Sequence, residues 1–336
     1  MKIKVLVCGG GTIGHVTPAL ALLENVEHDL AWLGTNRIDL KILNKKNINH
    51  FDQNLISGRN LQSMALHLKA IFKALKIIKK FQPDLVIGTG GYASFPGVIS
   101  SKIMNKKIIL IEPNAKPGWA NKILYKFSEK VICQKNLKSY FGKKSIPLGI
   151  PVYRKYKKIT KEESREKLDL NSNFFTVTIT GGSQGSEKLN KLILKSLEEM
   201  KKEFSNLFIF WQCGQGSKKI KKSLEDQKIL HIVKEYTEKL DTWISASDLV
   251  FSRAGACTLA EIKALGKKSI IIPLKGVDNH QLENAKEHSR NHPSKIIDED
   301  SDTSLLLKAM KNLDSEKKPP RVGLENSKKI SELIFD

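Results

Sequence analysis

His15 closes the run Gly9-Gly10-Gly11-Thr12-Ile13-Gly14-His15, which follows the apolar segment Lys4–Cys8 and leads into an apolar helix with Pro18 near its start. Glycine lets the backbone approach a ligand, and the first turn of a helix presents unpaired N–H groups to phosphate. An imidazole titrates near neutrality and can take a proton from a hydroxyl, although a histidine here also serves simply to close a turn. A second turn, Gly181-Gly182-Ser183-Gln184-Gly185-Ser186, adds the hydroxyls of Ser183 and Ser186. One such loop is no more than a tight turn, whereas two, each opening one half of the chain, suit a phosphate-bearing ligand gripped from either side. The nicotinamide pattern is missing. No clean GxGxxG is present, and Leu33-Gly34-Thr35-Asn36 stands where an acidic residue should end the second strand.

Other segments add functional groups at strand ends. Gly90-Gly91-Tyr92-Ala93-Ser94-Phe95-Pro96-Gly97 follows one apolar run, and Glu112-Pro113-Asn114 follows the next, with Pro117-Gly118 and Asn121-Lys122 beyond it. The stretch from Ser252 to Glu261 (SRAGACTLAE) passes from strand into helix, and Asp278-Asn279-His280-Gln281-Leu282-Glu283-Asn284-Ala285 follows the run SIIIPL. Asp300-Ser301-Asp302 lies in an acidic stretch and reads as a solvated turn, not a metal loop. Cys8, Cys133, Cys213 and Cys257 are scattered without CxxC spacing, which argues for a reducing compartment and against a zinc site or a disulfide framework.

These loops need a scaffold, and the chain alternates short apolar runs with helical patterns throughout. Strands are predicted at Lys4–Cys8, Leu30–Leu33, Asp84–Gly88, Lys107–Ile111 and Lys130–Cys133. In the second half they fall at Phe174–Thr180, Leu207–Gln212, Ile229–Lys234, Leu249–Arg253 and Ser269–Leu274. Continuous apolar runs suit parallel strands buried on both faces, and helices such as Leu61–Lys80, Glu187–Lys202 and Ala256–Leu265 supply right-handed crossovers. At 336 residues the chain fits two domains. The pattern pauses at Pro147–Tyr156, which places one domain at 1–153 and the other at 154–321, with the terminal helix 322–336 returning to the first. Ligands of such sheets bind beyond the carboxyl ends of the strands, so the expected site is a cleft between the domains.

The net charge of +22 is uneven: residues 1–155 hold 25 Lys+Arg against 8 Asp+Glu, and the rest hold 32 against 27. That asymmetry suits an anionic partner for the first half. Nucleic acid is disfavoured because basic residues are not interleaved with aromatics. An anionic membrane surface fits better. The segment Leu61–Lys80 carries apolar residues at Leu61, Met64, Leu68, Ile71, Phe72, Leu75 and Ile78 beside lysines 69, 73, 76, 79 and 80, although an ordinary surface helix packing on a sheet reads the same way. No run of about 18 apolar residues is present, and the N-terminal apolar run is too short for a signal peptide.

Taken in order from residue 8 to about residue 285, these segments resemble the MurG family of bacterial transferases, which convert lipid I to lipid II in peptidoglycan synthesis. The matches are GGxxGH, ISG at Ile56–Gly58, GGYxSxPG, ExN, GGSQG, SRAGAxTxxE and HQxxNA. The resemblance implies a GT-B fold, two Rossmann-like doubly wound parallel-sheet domains facing a deep cleft. It implies inverting transfer of GlcNAc from UDP-GlcNAc to the C4 hydroxyl of MurNAc in lipid I, without metal or cofactor. It further implies a peripheral protein on the cytoplasmic face of the membrane, alongside other cell-wall synthesis proteins. Another GT-B UDP-sugar enzyme, a glycolipid synthase or a UDP-GlcNAc epimerase, is the alternative; it should lack GGYxSxPG and ExN.

By the same resemblance His15 is the candidate base. Glu261 accepts the ribose hydroxyls, Ser183 with the N–H groups of Gly255 and Ala256 holds the diphosphate, and Arg253 stands beside them. His280 and Gln281 contact the sugar, and Thr237 marks the uracil site. Thr12, Gly14 and Asn114 belong to the donor set, and Gly11, Tyr92, Asn114 and Arg154 to the acceptor side. Three positions depart from the family pattern: Ile13 replaces a glycine, Arg154 is displaced by one residue, and Trp211 replaces a frequent histidine.

Overall fold

A computed structural model describes residues 2–24, 26–55, 61–276 and 279–335. The Ile56–Gly58 motif and Asp278 lie outside the described residues, as does the side chain of Leu61. The chain divides into two compact units, Met1–Tyr153 with Glu325–Asp336, and Arg154–Leu324.

The first unit runs β1 (Ile3–Cys8), α1 (Ile13–Leu23), β2 (His28–Gly34), α2 (Ile38–Lys45), β3 (Asn49–Asp52), α3 (Leu61–Phe81), β4 (Leu85–Gly88), α4 (Phe95–Ile103), β5 (Lys107–Ile111), α5 (Trp119–Leu124), β6 (Lys130–Ile132), α6 (Lys138–Phe141) and β7 (Ser145–Ile146). Its seven strands are ordered β3-β2-β1-β4-β5-β6-β7, and every pairing is parallel. The alternation of β1 explains the layering. Val5 and Val7 pack one way, on Val16, Ala19, Leu22 and Leu23 of α1. Leu6 and Cys8 pack the other way, on Ala74 and Ile78 of α3 and Val98 of α4.

The second unit runs α7 (Lys161–Glu166), β8 (Phe175–Thr180), α8 (Glu187–Glu203), β9 (Leu207–Gln212), α9 (Ser217–Asp226), β10 (Leu230–Lys234), α10 (Leu240–Ala246), β11 (Leu249–Ser252), α11 (Ala256–Ala264), β12 (Lys268–Ile271), α12 (His280–Ser289), β13 (Ser294–Ile296) and α13 (Thr303–Ser315). Its strands are ordered β10-β9-β8-β11-β12-β13, again all parallel. Along β8, Val177 and Ile179 join the apolar core, while Thr176, Thr178 and Thr180 are fully buried on the other face. Each threonine hydroxyl has a partner: Arg165 donates to Thr176, Ser247 pairs with Thr178 at 2.6 Å, and the Gly182 N–H donates to Thr180. The chain then returns to the first unit through α14 (Asn326–Phe335), whose Ile330 and Ile334 join the α1 side of the first core. The return begins at Glu325 rather than at 322, because Arg321 and Val322 are tied to the second unit through the carbonyls of Tyr156 and Lys263.

Three strands had no counterpart in the sequence pattern: β3, β7 and β13. They are short, carry polar residues and lie at or beside sheet edges, where no continuous apolar run is needed. The strand expected over Ser269–Leu274 ends at Ile271, two residues before Pro273, which has no N–H to donate.

In each sheet the strand order reverses between two central neighbours, β1 and β4 in the first unit and β8 and β11 in the second. Loops leaving neighbours of this kind diverge to opposite faces and open a crevice at the carboxyl edge. The glycine turns 9–14 and 181–186 leave β1 and β8, and the loops 89–94 and 253–255 leave β4 and β11.

Candidate active site

In the first unit the crevice is built around His15, which lies in the first turn of α1. Its Nδ1 is 2.8 Å from the carbonyl oxygen of Thr89. A carbonyl only accepts, so Nδ1 carries the proton and Nε2 keeps its lone pair. Nε2 has no hydrogen-bond partner among the described residues and lies beside Gly91, where a Cβ would be only 3.2 Å away. Burial lowers the imidazole pKa, although the Thr89 carbonyl and the charges of Glu112 and Asp39 favour the cation. The ring is therefore neutral near pH 7 and open to a proton at Nε2.

Around it the loops are held by buried polar side chains. Glu112 is 2% exposed; its Oε1 accepts from the N–H and Nδ2 of Asn114, and its Oε2 from the Gly118 N–H and Asn121 Nδ2, all within 2.8–3.2 Å. Asn114 is thus fixed in place. Gly11 spends its N–H on Asp39 at 3.2 Å, so it has none left for a phosphate. The Tyr92 hydroxyl is buried without a partner among the described residues and lies over Gly11, as a ligand-facing group would. Thr12 is exposed as the N-cap of α1 and Gly14 lies in its first turn. Arg154 opens the short 3-10 turn Arg154–Lys157 at the start of the second unit.

In the second unit Gly255 is the N-cap of α11 and makes no side-chain cap. The N–H groups of Gly255 and Ala256 have no partner among the described residues, so this helix start is open to an anion. Gln281 and Asn284 of α12 grip the preceding peptide. Gln281 Oε1 accepts from the Ala254 and Leu274 N–H groups (3.1 and 2.9 Å), and Asn284 Nδ2 donates to the Ala254 carbonyl. The Gln281 amide nitrogen stays available to donate to a ligand, and the half-buried His280 precedes it as the first residue of α12.

Ser183 lies between Gly182 and Gly185, both at positive φ. A Cβ at Gly185 would sit 2.3 Å from the Cys213 carbonyl oxygen, so the turn passes where only glycine fits. Gln212, 1% exposed at the end of β9, donates to the Gly182 carbonyl (2.9 Å) and accepts from the Thr237 N–H (3.1 Å). A ligand at Thr237 therefore meets the backbone carbonyl, not the N–H.

Arg253 is more committed than the sequence suggests. It donates to Ser186 Oγ and to the carbonyls of Ile272 and Pro273, and pairs with buried Glu299 at 2.8 Å. The structure gives it the part of a brace for the 181–186 turn. Glu261, in the second turn of α11, differs again. Burial pushes its carboxyl up to about 7, against the Tyr156 hydroxyl that donates to it; Asp241 adds to the rise and Lys155 opposes it. Trp211 is fully buried and donates to Asn190 Oδ1 at 3.0 Å, so it belongs to the core. The acidic stretch behaves as a turn: Asp298 and Asp300 pair with Lys275, and Asp302 accepts from Thr303 and Ser304.

Asp39, Gln212 and Glu299 were not singled out in the sequence, and Glu112 had no role beyond its motif. The usable signal was a polar residue closing or directly following an apolar run, as in Trp211-Gln212 and Ile111-Glu112.

Two parallel sheets with glycine turns at their order reversals, one beside a neutral histidine and the other beside an open helix start, have the architecture of the GT-B class of sugar-nucleotide enzymes. The chain matches the glycosyltransferase family 28 N-terminal domain over residues 5–133 and the family 28 C-terminal domain over residues 176–333. It is 31% identical over 353 residues to the UDP-N-acetylglucosamine–N-acetylmuramyl-(pentapeptide) pyrophosphoryl-undecaprenol N-acetylglucosamine transferase of Finegoldia magna, covering 98% of this chain and 94% of that one. The protein of the same name from Pediococcus pentosaceus is 33% identical over 352 residues, with 98% and 95% covered. The crystal structure of Acinetobacter baumannii MurG shares the fold, with a TM-score of 0.76 at 23% identity over 99% of both chains. The chain belongs to glycosyltransferase family 28 and, within it, to the MurG family.

The His15 geometry makes a direct prediction. Nitrogen-15 NMR at pH 7 should find His15 neutral and protonated at Nδ1, titrating below the ordinary histidine value of 6.5. A proton on Nε2 at that pH would remove the base assignment.

Proposed function

We propose that this enzyme transfers GlcNAc from UDP-GlcNAc to the C4 hydroxyl of MurNAc in lipid I, releasing UDP and forming lipid II. Full-length similarity to enzymes bearing that name supports the substrates, and the free Nε2 of His15 is the observation that carries the chemistry. His15 Nε2 takes the C4 hydroxyl proton as the C4 oxygen bonds to the anomeric carbon. The bond from that carbon to the UDP β-phosphate oxygen breaks, and its electron pair leaves on UDP. The direction of attack, opposite the leaving group, gives inversion.

The second unit supports departure of UDP. N–H groups at the start of α11 face the growing negative charge, with the helix dipole behind them and the Ser183 hydroxyl beside them. Glu261 accepts the two ribose hydroxyls, a task that uses both oxygens of an ionised carboxylate. Gln281 and His280 contact GlcNAc, and the Thr237 carbonyl accepts from uracil. On the first unit Tyr92 and Asn114 take the acceptor, while Thr12 and Gly14 complete the donor set. Arg154 joins Tyr92 and Asn114 on the acceptor side.

The lipid anchor of the acceptor implies work at a membrane surface. No helix among the described residues is long and apolar enough to cross one. Instead α3 has two apolar faces. Ala70, Ala74 and Ile78 are buried on the sheet, whereas Met64, Leu68 and Phe72 are 59%, 59% and 68% exposed. The outward residues recur every fourth position beside exposed Lys69, Lys73 and Lys76. Each large apolar side chain that enters the lipid interface contributes about 1.5–3 kcal/mol when fully buried, and each nearby lysine about 1 kcal/mol on an anionic surface. We therefore place the enzyme on an anionic leaflet through this stripe, at the cytoplasmic face, where other cell-wall synthesis proteins are accessible.

Labelled UDP-GlcNAc incubated with lipid I should yield labelled lipid II, and donor binding without transfer to lipid would favour a sister UDP-sugar enzyme. Because only ionised Glu261 accepts both ribose hydroxyls, UDP-GlcNAc affinity should fall about tenfold from pH 8 to pH 6. Glu261→Gln should bind weakly and without that slope; an unchanged slope would move the titration to another group. The protein should pellet with anionic but not neutral vesicles, and Phe72→Ser should weaken that partition about tenfold. Equal pelleting with both vesicle types would remove the membrane role.

A further inference from the structure

Asp39 is the second residue of α2 and has no exposed surface. Its carboxylate accepts from the Thr35 N–H at 2.6 Å, the Thr35 hydroxyl at 2.7 Å and the Gly11 N–H at 3.2 Å, with His50 Nε2 at 3.8 Å. Burial alone would raise its pKa, but the nearby His50 ring and the hydrogen bonds from Thr35 and Gly11 outweigh it and keep the group ionised. Space is made for it by glycines on both sides. A Cβ at Gly10 would lie 2.3 Å from Asp39 Oδ2, and one at Gly34 would lie 2.5 Å from the same oxygen. These glycines therefore accommodate a protein carboxylate, whatever else they admit.

The same turn is also held at Gly9, two residues before Gly11. The Gly9 N–H donates to the Leu33 carbonyl at 3.0 Å, and Trp32 Nε1 donates to the Gly9 carbonyl at 2.7 Å. Beyond Gly11, α1 begins with Thr12 as an N-cap whose side chain makes no cap bond. Thr12 thus adds no side-chain cap, and the bond from Gly11 to Asp39 anchors the turn just ahead of α1.

We infer that Asp39 is a positioning residue for the transfer reaction, clamping the 9–14 turn so that α1 presents His15 Nε2 toward the acceptor hydroxyl. This rests on the acceptor-side role given to that turn above. Asp39 touches no substrate and acts through the backbone. Displacing a reacting group by about 1 Å costs on the order of a hundredfold in rate, so the clamp has a large effect to exert. It also consumes the Gly11 N–H, which steers an acceptor phosphate to other donors of the turn.

The full chain with Asp39→Asn tests this. Either orientation of the amide sets Nδ2 against a donor, the Thr35 N–H or the Gly11 N–H, so the clamp is strained or broken. Transfer kcat/KM should fall about thirtyfold or more, while UDP-GlcNAc affinity, to which the first unit adds only Thr12 and Gly14, should fall far less. The indole N–H signal of Trp32 reports on Gly9 and should shift, while those of Trp119, Trp211 and Trp243 stay in place; loss of stability alone would not move it. Should Asp39→Asn fail to fold, Thr35→Val should lose several-fold in kcat/KM while Thr35→Ser retains it. Wild-type kcat/KM in Asp39→Asn, a Trp32 shift without loss of rate, or equal behaviour of the two Thr35 variants would each overturn the inference. A wild-type protein that transfers nothing overturns the functional reading instead, and the Trp32 signal then still reads the clamp.

Discussion

A glycine turn has no side chain with which to fix its own shape, so its geometry must be imposed by the groups that surround it. Both glycine turns of this protein lie where the strand order reverses and two loops part. Each is held by buried polar side chains: Asp39, Trp32 and Gln212 reach the backbone of residues 9–11 and 181–186, and Arg253 reaches the Ser186 hydroxyl. Glu112 performs the same service for Asn114 and Gly118. Remove these side chains and the turns retain their freedom but lose their function.

From this constraint follows a separation of tasks between the two units. In the first, the clamped turn delivers a histidine whose Nδ1 is taken by Thr89, leaving one nitrogen for chemistry. In the second, Gln281 and Asn284 hold the Ala254 peptide so that the start of α11 is presented without a cap. In the proposed transfer, neutral imidazole and helix start are complementary: the first takes a proton and the second faces the charge on a leaving diphosphate. Arg253, an obvious cation for such a charge, is instead spent on Ser186, two carbonyls and Glu299.

The sheets were legible where burial on both faces forces a continuous apolar run, as at Lys107–Ile111 and Leu207–Gln212, which match the structure residue for residue. Edge strands such as Asn49–Asp52 carry no such run and were invisible. Motifs located the loops but not what holds them. Asp39 sits 28 residues from Gly11, and nothing in local spacing connects the two. Similarly, the pattern of α3 showed an apolar stripe but not that Met64, Leu68 and Phe72 face away from the sheet, because one helix can carry two apolar faces. Tertiary partners decide both cases.

The central claim is a single displacement in which a neutral imidazole accepts the proton and the bond to UDP breaks from the opposite side. The anomeric configuration of the disaccharide formed from α-linked UDP-GlcNAc and lipid I, read from the GlcNAc anomeric proton coupling, tests it most directly. A β linkage is predicted. An α linkage would require a second displacement or a front-side mechanism, and would contradict the account.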